Sequence, residues 1–237
     1  MKRQLAVVAV LVLISSSTVG LKAQPATDNA NSDARRVRQR ADALLAQMTL
    51  EEKLGQMNQL FFFGNKAEGP TTDGIRKGQV GSLLFVTDPA LINSLQRIAV
   101  NESRLKIPLI FGYDVTHGFH TIFPVSIAMA ASWDPSLIEK AQSIAAREAR
   151  AVGINWTFAP MVDITRDPRW GRIVEGAGED PYLGAVMAQA HVRGFQGERI
   201  GSPDRLLACA KHFAGYGAAE GGRDYDAANV SDAQMWN

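Results

Sequence analysis

The sequence predicts an α/β fold, an incomplete (β/α)8 barrel of parallel strands, and three observations carry that expectation. Apolar runs of strand length alternate with segments of helical periodicity along the chain. The strand-like runs are almost continuously apolar, as strands covered on both faces are, which implies a parallel sheet under helices. Polar groups follow three of these runs: Asp114 after Ile107–Tyr113, Asp163 after Ile154–Met161, and Lys211 with His212 after Leu206–Ala210. Barrels carry their working residues at the C-terminal ends of strands in this way. An open doubly wound sheet shows the same alternation. No Gly-rich phosphate fingerprint follows any strand, however, which counts against a dinucleotide fold.

The elements follow in order. Val37, Ala41, Leu44, Leu45 and Met48 stand at helical spacing, predicting an amphipathic helix over Ala34–Met48. Thr49 with Glu52 three residues on forms a capping box for a second helix. Leu60–Phe63 and Val80–Val86 read as the first strands, and Leu91–Val100 as a helix before the third. Asp134 caps a further helix with Pro135 at its first position, and Gly153 ends it. Ile154–Met161 is then a buried strand, Asp180 and Pro181 open a helix running to about Gly197, and Leu206–Ala210 is the next strand. That makes four or five strands where a barrel needs eight. The sequence ends on SDAQMWN, where Ser231 reads as the cap of a new helix, so a truncated barrel is expected.

Composition narrows the classes. With 46% hydrophobic and 21% charged residues the chain is ordinary for a globular domain. A net charge of +1 gives no reason to expect nucleic acid or an anionic membrane as partner. Lys2 and Arg3, the apolar run Leu5–Ile14 and the small residues up to Ala23 read as a secretory signal peptide over 1–23. A retained signal anchor is the alternative. Residues 24–33 read as a flexible polar lead-in and 34–237 as the partial barrel domain, with no later membrane span and a periplasmic or secreted location. The one cysteine, Cys209, is expected to be a small buried residue rather than a nucleophile.

The segment from Val162 to Leu183 is the densest in charge. It sets Arg166, Asp167, Arg169, Arg172, Glu175, Glu179 and Asp180 beside Trp170, between two apolar runs. Such a loop on a rigid scaffold suits the wall of a polar-ligand site. A sugar ring, with hydroxyls at its edge and C–H groups on its faces, requires charged donors and acceptors around it and aromatic rings against it. Asp114, Arg172, Lys211 and His212 supply the first; Trp133, Trp156 or Trp170 supply the second.

Other readings stand beside these. His117 and His120 with Asp114 lack the zincin spacing and its glutamate, so packed, hydrogen-bonded histidines are expected rather than a metal site. His191 is expected on a surface or flank of its helix. Lys211 and His212 also fit a solvated loop, and Arg166, Asp167 and Arg169 fit ion pairs that merely fix theirs. Glu179 suits the dipole of the helix that Pro181 opens.

Five motifs occur in one order: GYDVTHG, TIFPVSIAMAASWDP, NWTFAPMVDITRDPRWGR with WGRIVEGAGEDPYLGA, and KHFAGYG. Together, over about Met48–Ser231, they resemble glycoside hydrolase family 3, and within it the exported bacterial β-glucosidases. The resemblance implies a barrel followed by an α/β-sandwich domain. By motif position it implies that Asp114, Arg172, Lys211 and His212 hold the non-reducing-end sugar of a β-glucoside or oligosaccharide. It implies a retaining reaction with an aspartate nucleophile and a separate acid/base. No match to the nucleophile's motif occurs, so both catalytic carboxylates are expected beyond residue 237, and neither a metal nor an organic cofactor is implied. Tyr216 stands where the N-acetylglucosaminidase branch has a histidine, and His120 where relatives often have arginine; Asp224 and Tyr225 receive no role. β-Xylosidase or broad exo-glycosidase activity remains open within the class, and a non-catalytic sugar-binding remnant outside it.

A barrel lacking its last strands has open sheet edges. The isolated chain is therefore expected to aggregate or to melt without a cooperative transition. A soluble monomer with a sharp calorimetric transition would contradict this.

Overall fold

The computed structural model of the chain describes residues 26–236. The signal peptide expected over 1–23 lies outside the described residues. The chain divides into two compact units between Ala46 and Gln47. The first holds helix α1, Ala26–Leu45. It starts at Ala26, ahead of the Ala34 expected from the periodicity. Ala26, Ala30 and Ala34 are strong helix formers that offset the intervening Asn and Asp, and Asp33 pairs with Arg36 at 3.1 Å one turn on.

The second unit carries four parallel strands in chain order: β1 Gln59–Phe61, β2 Ser82–Leu84, β3 Ile110–Tyr113 and β4 Trp156–Thr157. Sequential parallel neighbours joined by helical crossovers are the arrangement of a barrel wall. Leu60 pairs with Leu83 and Leu83 with Phe111, so these three side chains share the helix-covered face. They meet Ile75, Leu91, Ile92 and Leu95 in one apolar cluster. Ile75 comes from α3, Pro70–Arg76, and the others from α4, Pro89–Arg97. The chain passes from α4 into a single π-turn, Ile98–Glu102.

The strand expected at Leu206–Ala210 is present as a ladder rather than a regular strand. Leu207 N–H donates to Asn155 O at 2.8 Å, Cys209 N–H to Ala159 O at 2.9 Å and Lys211 N–H to Pro160 O at 3.0 Å. Parallel bridges join Trp156 to Leu207 and Met161 to Lys211, extending the sheet by a fifth segment. Leu206 is buried and Ala208 packs against the cluster under the helices. Alternation turns Cys209 to the other face, and it is half-buried rather than buried as expected.

Capping residues set the helix starts as the sequence predicts. Helix α2, Leu50–Met57, opens on the Thr49–Glu52 capping box, with both reciprocal bonds made. Short α5, Ser126–Ala130, precedes α6, Pro135–Ala151, whose Asp134 side chain accepts from Ser136 N and Leu137 N. Helix α7, Pro181–Gln196, is capped by Asp180 through Leu183 N at 2.6 Å and closed by Gly197 at φ +64°. Ser231 caps α8, Asp232–Met235. Helices α6 and α7 pack through Ile138, Ala141, Met187 and Ala190.

Their approach depends on Gly194. A Cβ there would lie 2.5 Å from Glu139 O and 2.6 Å from Gln142 Cβ, and the first of these is backbone that cannot rotate away. Gly194→Ala is expected to push the helices apart and lower stability by about 1–3 kcal/mol, measured in the full-length protein as a fall in the urea midpoint.

Candidate active site

Loops leaving β3, β4 and the fifth segment build one polar cluster. The loop after β3 is fixed by groups from three directions. Val115 N–H donates to Thr157 Oγ1 at 3.1 Å, Gln142 Nε2 donates to Thr116 O at 3.2 Å, and His117 Nδ1 lies 2.8 Å from Phe123 O. Glu148 of α6 accepts from His120 N, Thr121 N and Thr121 Oγ1 at 2.9, 2.8 and 2.6 Å. The Thr121 bonds, with help from His120, hold its carboxyl below the usual range. His117 thus holds this loop through its ring, and His120 through its backbone N–H. Among the described residues no group of three or more His, Cys, Asp and Glu could hold a metal ion.

Asp114 leaves this braced loop and meets Lys211 from the fifth segment, with Nζ donating to Oδ1 at 3.0 Å. The ammonium is 18% and the carboxylate 40% exposed, so the pair is neutralised yet open on one side. The next residue, His212, is held by Asp163, the residue two past the Met161 bridge. Asp163 Oδ2 accepts from His212 N at 3.1 Å and lies 2.8 Å from Nδ1. A carboxylate oxygen only accepts, which places the ring proton on Nδ1 and leaves Nε2 as the other ring atom. The Asp163 side chain is 1% exposed and that of His212 33%.

Arg172 completes the cluster from the charged loop. Its Nε and Nη2 donate to the two oxygens of Glu175 at 2.7 and 2.8 Å. That two-pronged pair raises the guanidinium pKa and lowers that of Glu175, which also feels Lys211 and His212. Arg172 Nη1 reaches Tyr216 OH at 3.4 Å, and the Tyr216 ring lies edge-on to His212 with centroids 4.6 Å apart. Asp114, Arg172, Lys211 and His212, from three separate loops, therefore stand together.

Several residues that matter here carried no predicted role. Asp224 accepts from Trp170 Nε1 at 2.9 Å and from Tyr216 OH at 2.5 Å. Those donors hold its carboxyl low, while burial and then Asp224 raise the Tyr216 phenol. Trp170 is 1% exposed beneath the Tyr216 edge, so it supports the loop and cannot stack on a ligand. Trp156 lies against Phe158, and Trp133 is exposed beside α6. Asp167 and Arg169 form a local two-pronged pair at 3.0 and 2.7 Å that fixes the loop, holding the Asp167 carboxyl at about 2. Asp224 of GGRDYD meets Trp170, 54 positions away, only after folding, and no local signal marks it.

The family model for the glycosyl hydrolase family 3 N-terminal domain matches residues 49–237. The chain belongs to glycosyl hydrolase family 3. A periplasmic β-glucosidase of Salmonella typhimurium is 39% identical over 82% of the chain and 25% of that protein. A putative β-xylosidase of Formosa agariphila is 34% identical over 82% of the chain and 29% of its own length. Among solved structures, the β-glucosidase of Listeria innocua superposes with a TM-score of 0.77 at 37% identity, over 84% of the chain and 29% of that protein. The chain thus spans a quarter to a third of these relatives, and it represents the family's barrel domain in part.

His191, expected on a surface or flank, is buried instead, at 5% exposure. Gly184, Met187 and His191 recur at helical spacing on the sheet-facing side of α7, which corrects that reading. Burial lowers its pKa from 6.5 to about 4. The neutral ring favours the fold, so this contribution is complete above pH 6.5 and is lost as pH falls toward 4. Stability is expected to drop by roughly 1.4 kcal/mol per pH unit across that window. Denaturant titrations of the full-length protein at pH 7, 5.5 and 4.5 should show the drop in the wild type and a smaller one in His191→Leu.

Proposed function

We propose that this chain forms the sugar-holding part of the active site of an exported β-glucosidase that removes terminal β-D-glucosyl residues with retention. The supporting observation is the joint placement of Asp114, Lys211, His212 and Arg172 at the C-terminal end of the parallel sheet. Each cationic or ring group is held by its own carboxylate: Lys211 by Asp114, His212 by Asp163, Arg172 by Glu175. Held in this way they keep their geometry before a ligand arrives, so little reorganisation is needed on binding.

In this reading Asp114 accepts from two vicinal hydroxyls, and Lys211, Arg172 and His212 Nε2 bond the remaining ones. Contacts that tighten as the ring flattens toward an oxocarbenium ion lower the barrier, while the rest only hold the substrate. The nucleophile and the acid/base, roughly 5–5.5 Å apart in a retaining enzyme, come from chain beyond residue 237. The relatives named above are about three times as long, which leaves room for both. The Salmonella relative is described as periplasmic, and with the signal-like N-terminus this supports a periplasmic or secreted location. Among the described residues no helix is long and apolar enough to cross a membrane.

Glucose and xylose differ by one hydroxymethyl group, a difference that pockets resolve only modestly. The β-xylosidase relative keeps that preference open for measurement. On nitrophenyl glycosides, the full-length protein is expected to favour the β-glucoside, and Asp114→Ala or Lys211→Ala to lower kcat/KM by about 100-fold or more, of the order seen when a transition-state donor is removed. The 237-residue chain alone is expected to hydrolyse none of them. Hydrolysis by the short chain, or full activity in Asp114→Ala, would sink the assignment.

A further inference from the structure

We propose that Asp163 and His191 share one internal water, and that through it His191 acts as a positioning residue for His212. The Asp163 carboxylate uses only one oxygen on His212; its Oδ1 is buried and has no partner among the described residues. His191 Nδ1 is buried and unpartnered in the same way. Both residues line one cavity between the exit of β4 and helix α7, with ≈ 10 Å³ open to the centre of a water-sized sphere. That is the space of about one water molecule.

The walls explain why the cavity is so small. The segment after β4 and helix α7 approach closely, since a Cβ on Gly184 would lie 2.9 Å from Ile164 Cδ1. Ser126 and Glu175 also line the space, and Glu175 is committed to Arg172. Leaving a buried carboxylate oxygen and an imidazole nitrogen unsatisfied costs the full desolvation of each. A water that donates to Asp163 Oδ1 and bonds His191 Nδ1 removes both penalties. The resulting line runs His191, water, Asp163, His212. It anchors the Asp163 carboxylate at both oxygens, so the plane in which it holds the His212 ring is fixed from α7.

The water and the link to His212 stand on geometry alone; the extension to sugar rests on the reading of the site given above. A high-resolution crystal structure of the protein is expected to show one ordered water within about 3.2 Å of Asp163 Oδ1 and His191 Nδ1. Two atoms sharing no water would overturn the proposal. Imidazole-nitrogen spectra give the second arm. The His191→Asn amide reaches the place of Nδ1 and is expected to leave the His212 signals as in the wild type. His191→Leu should shift them, and both variants alike, or neither, would overturn the link. Glucose affinity read alongside should fall several-fold in His191→Leu and return in His191→Asn. Failure of the wild type to bind glucose would instead sink the sugar reading, leaving the water link to the first two arms.

Discussion

The ladder between residues 155–162 and 207–211 is the constraint on which the site depends. Its backbone bonds, from Leu207 to Asn155 through Lys211 to Pro160, align two segments that are about fifty residues apart in sequence. That alignment delivers Lys211 toward Asp114 and His212 onto Asp163 in consecutive positions. A slip of one residue would turn Lys211 to the helix-covered face and break its pairing with Asp114. The long loop between the two segments, with Arg172 on it, is then closed over the same sheet end.

Around that ladder the cluster is organised as paired opposites rather than as free charges. Isolated cations half-removed from water would repel one another and seek other partners. Each instead has a carboxylate of its own, Asp114 from the loop after β3 and Asp163 and Glu175 from the connection between β4 and α7. Beneath them, Trp170, Tyr216 and Asp224 form a supporting layer in which a buried indole N–H and a phenol converge on one oxygen. Tyr216 connects that layer to the cluster above, touching both Arg172 and His212. The charged loop is therefore mostly scaffold, with Arg172 the member that joins the cluster.

Much of this was legible in the sequence because it is local. Capping boxes and Asp-Pro starts act within four residues, and the observed helices open at Thr49, Asp134, Asp180 and Ser231 as those signals indicate. The strand-end positions of Asp114, Asp163, Lys211 and His212 follow from the apolar runs before them. What failed to read depends on neighbours distant in the chain. His191 looked like a flank residue because one helix's periodicity does not say which side meets the sheet. Cys209 looked buried because its neighbours are apolar, whereas its side chain follows the alternation of the ladder. The first helix, expected from Ala34, begins at Ala26.

The sequence by itself determined the alternation of strands and helices, where most helices start, and the motifs that place the chain in its family. These depend on residue chemistry within a turn or two of helix or a few residues of strand. Only the tertiary structure decided the pairings: Asp163 with His212, Arg172 with Glu175 and Tyr216, Asp224 with Trp170, and His191 with Asp163 around one small cavity. Those contacts are fixed by parallel register and by helix packing, which are set by the summed burial of many distant side chains and not by any short segment.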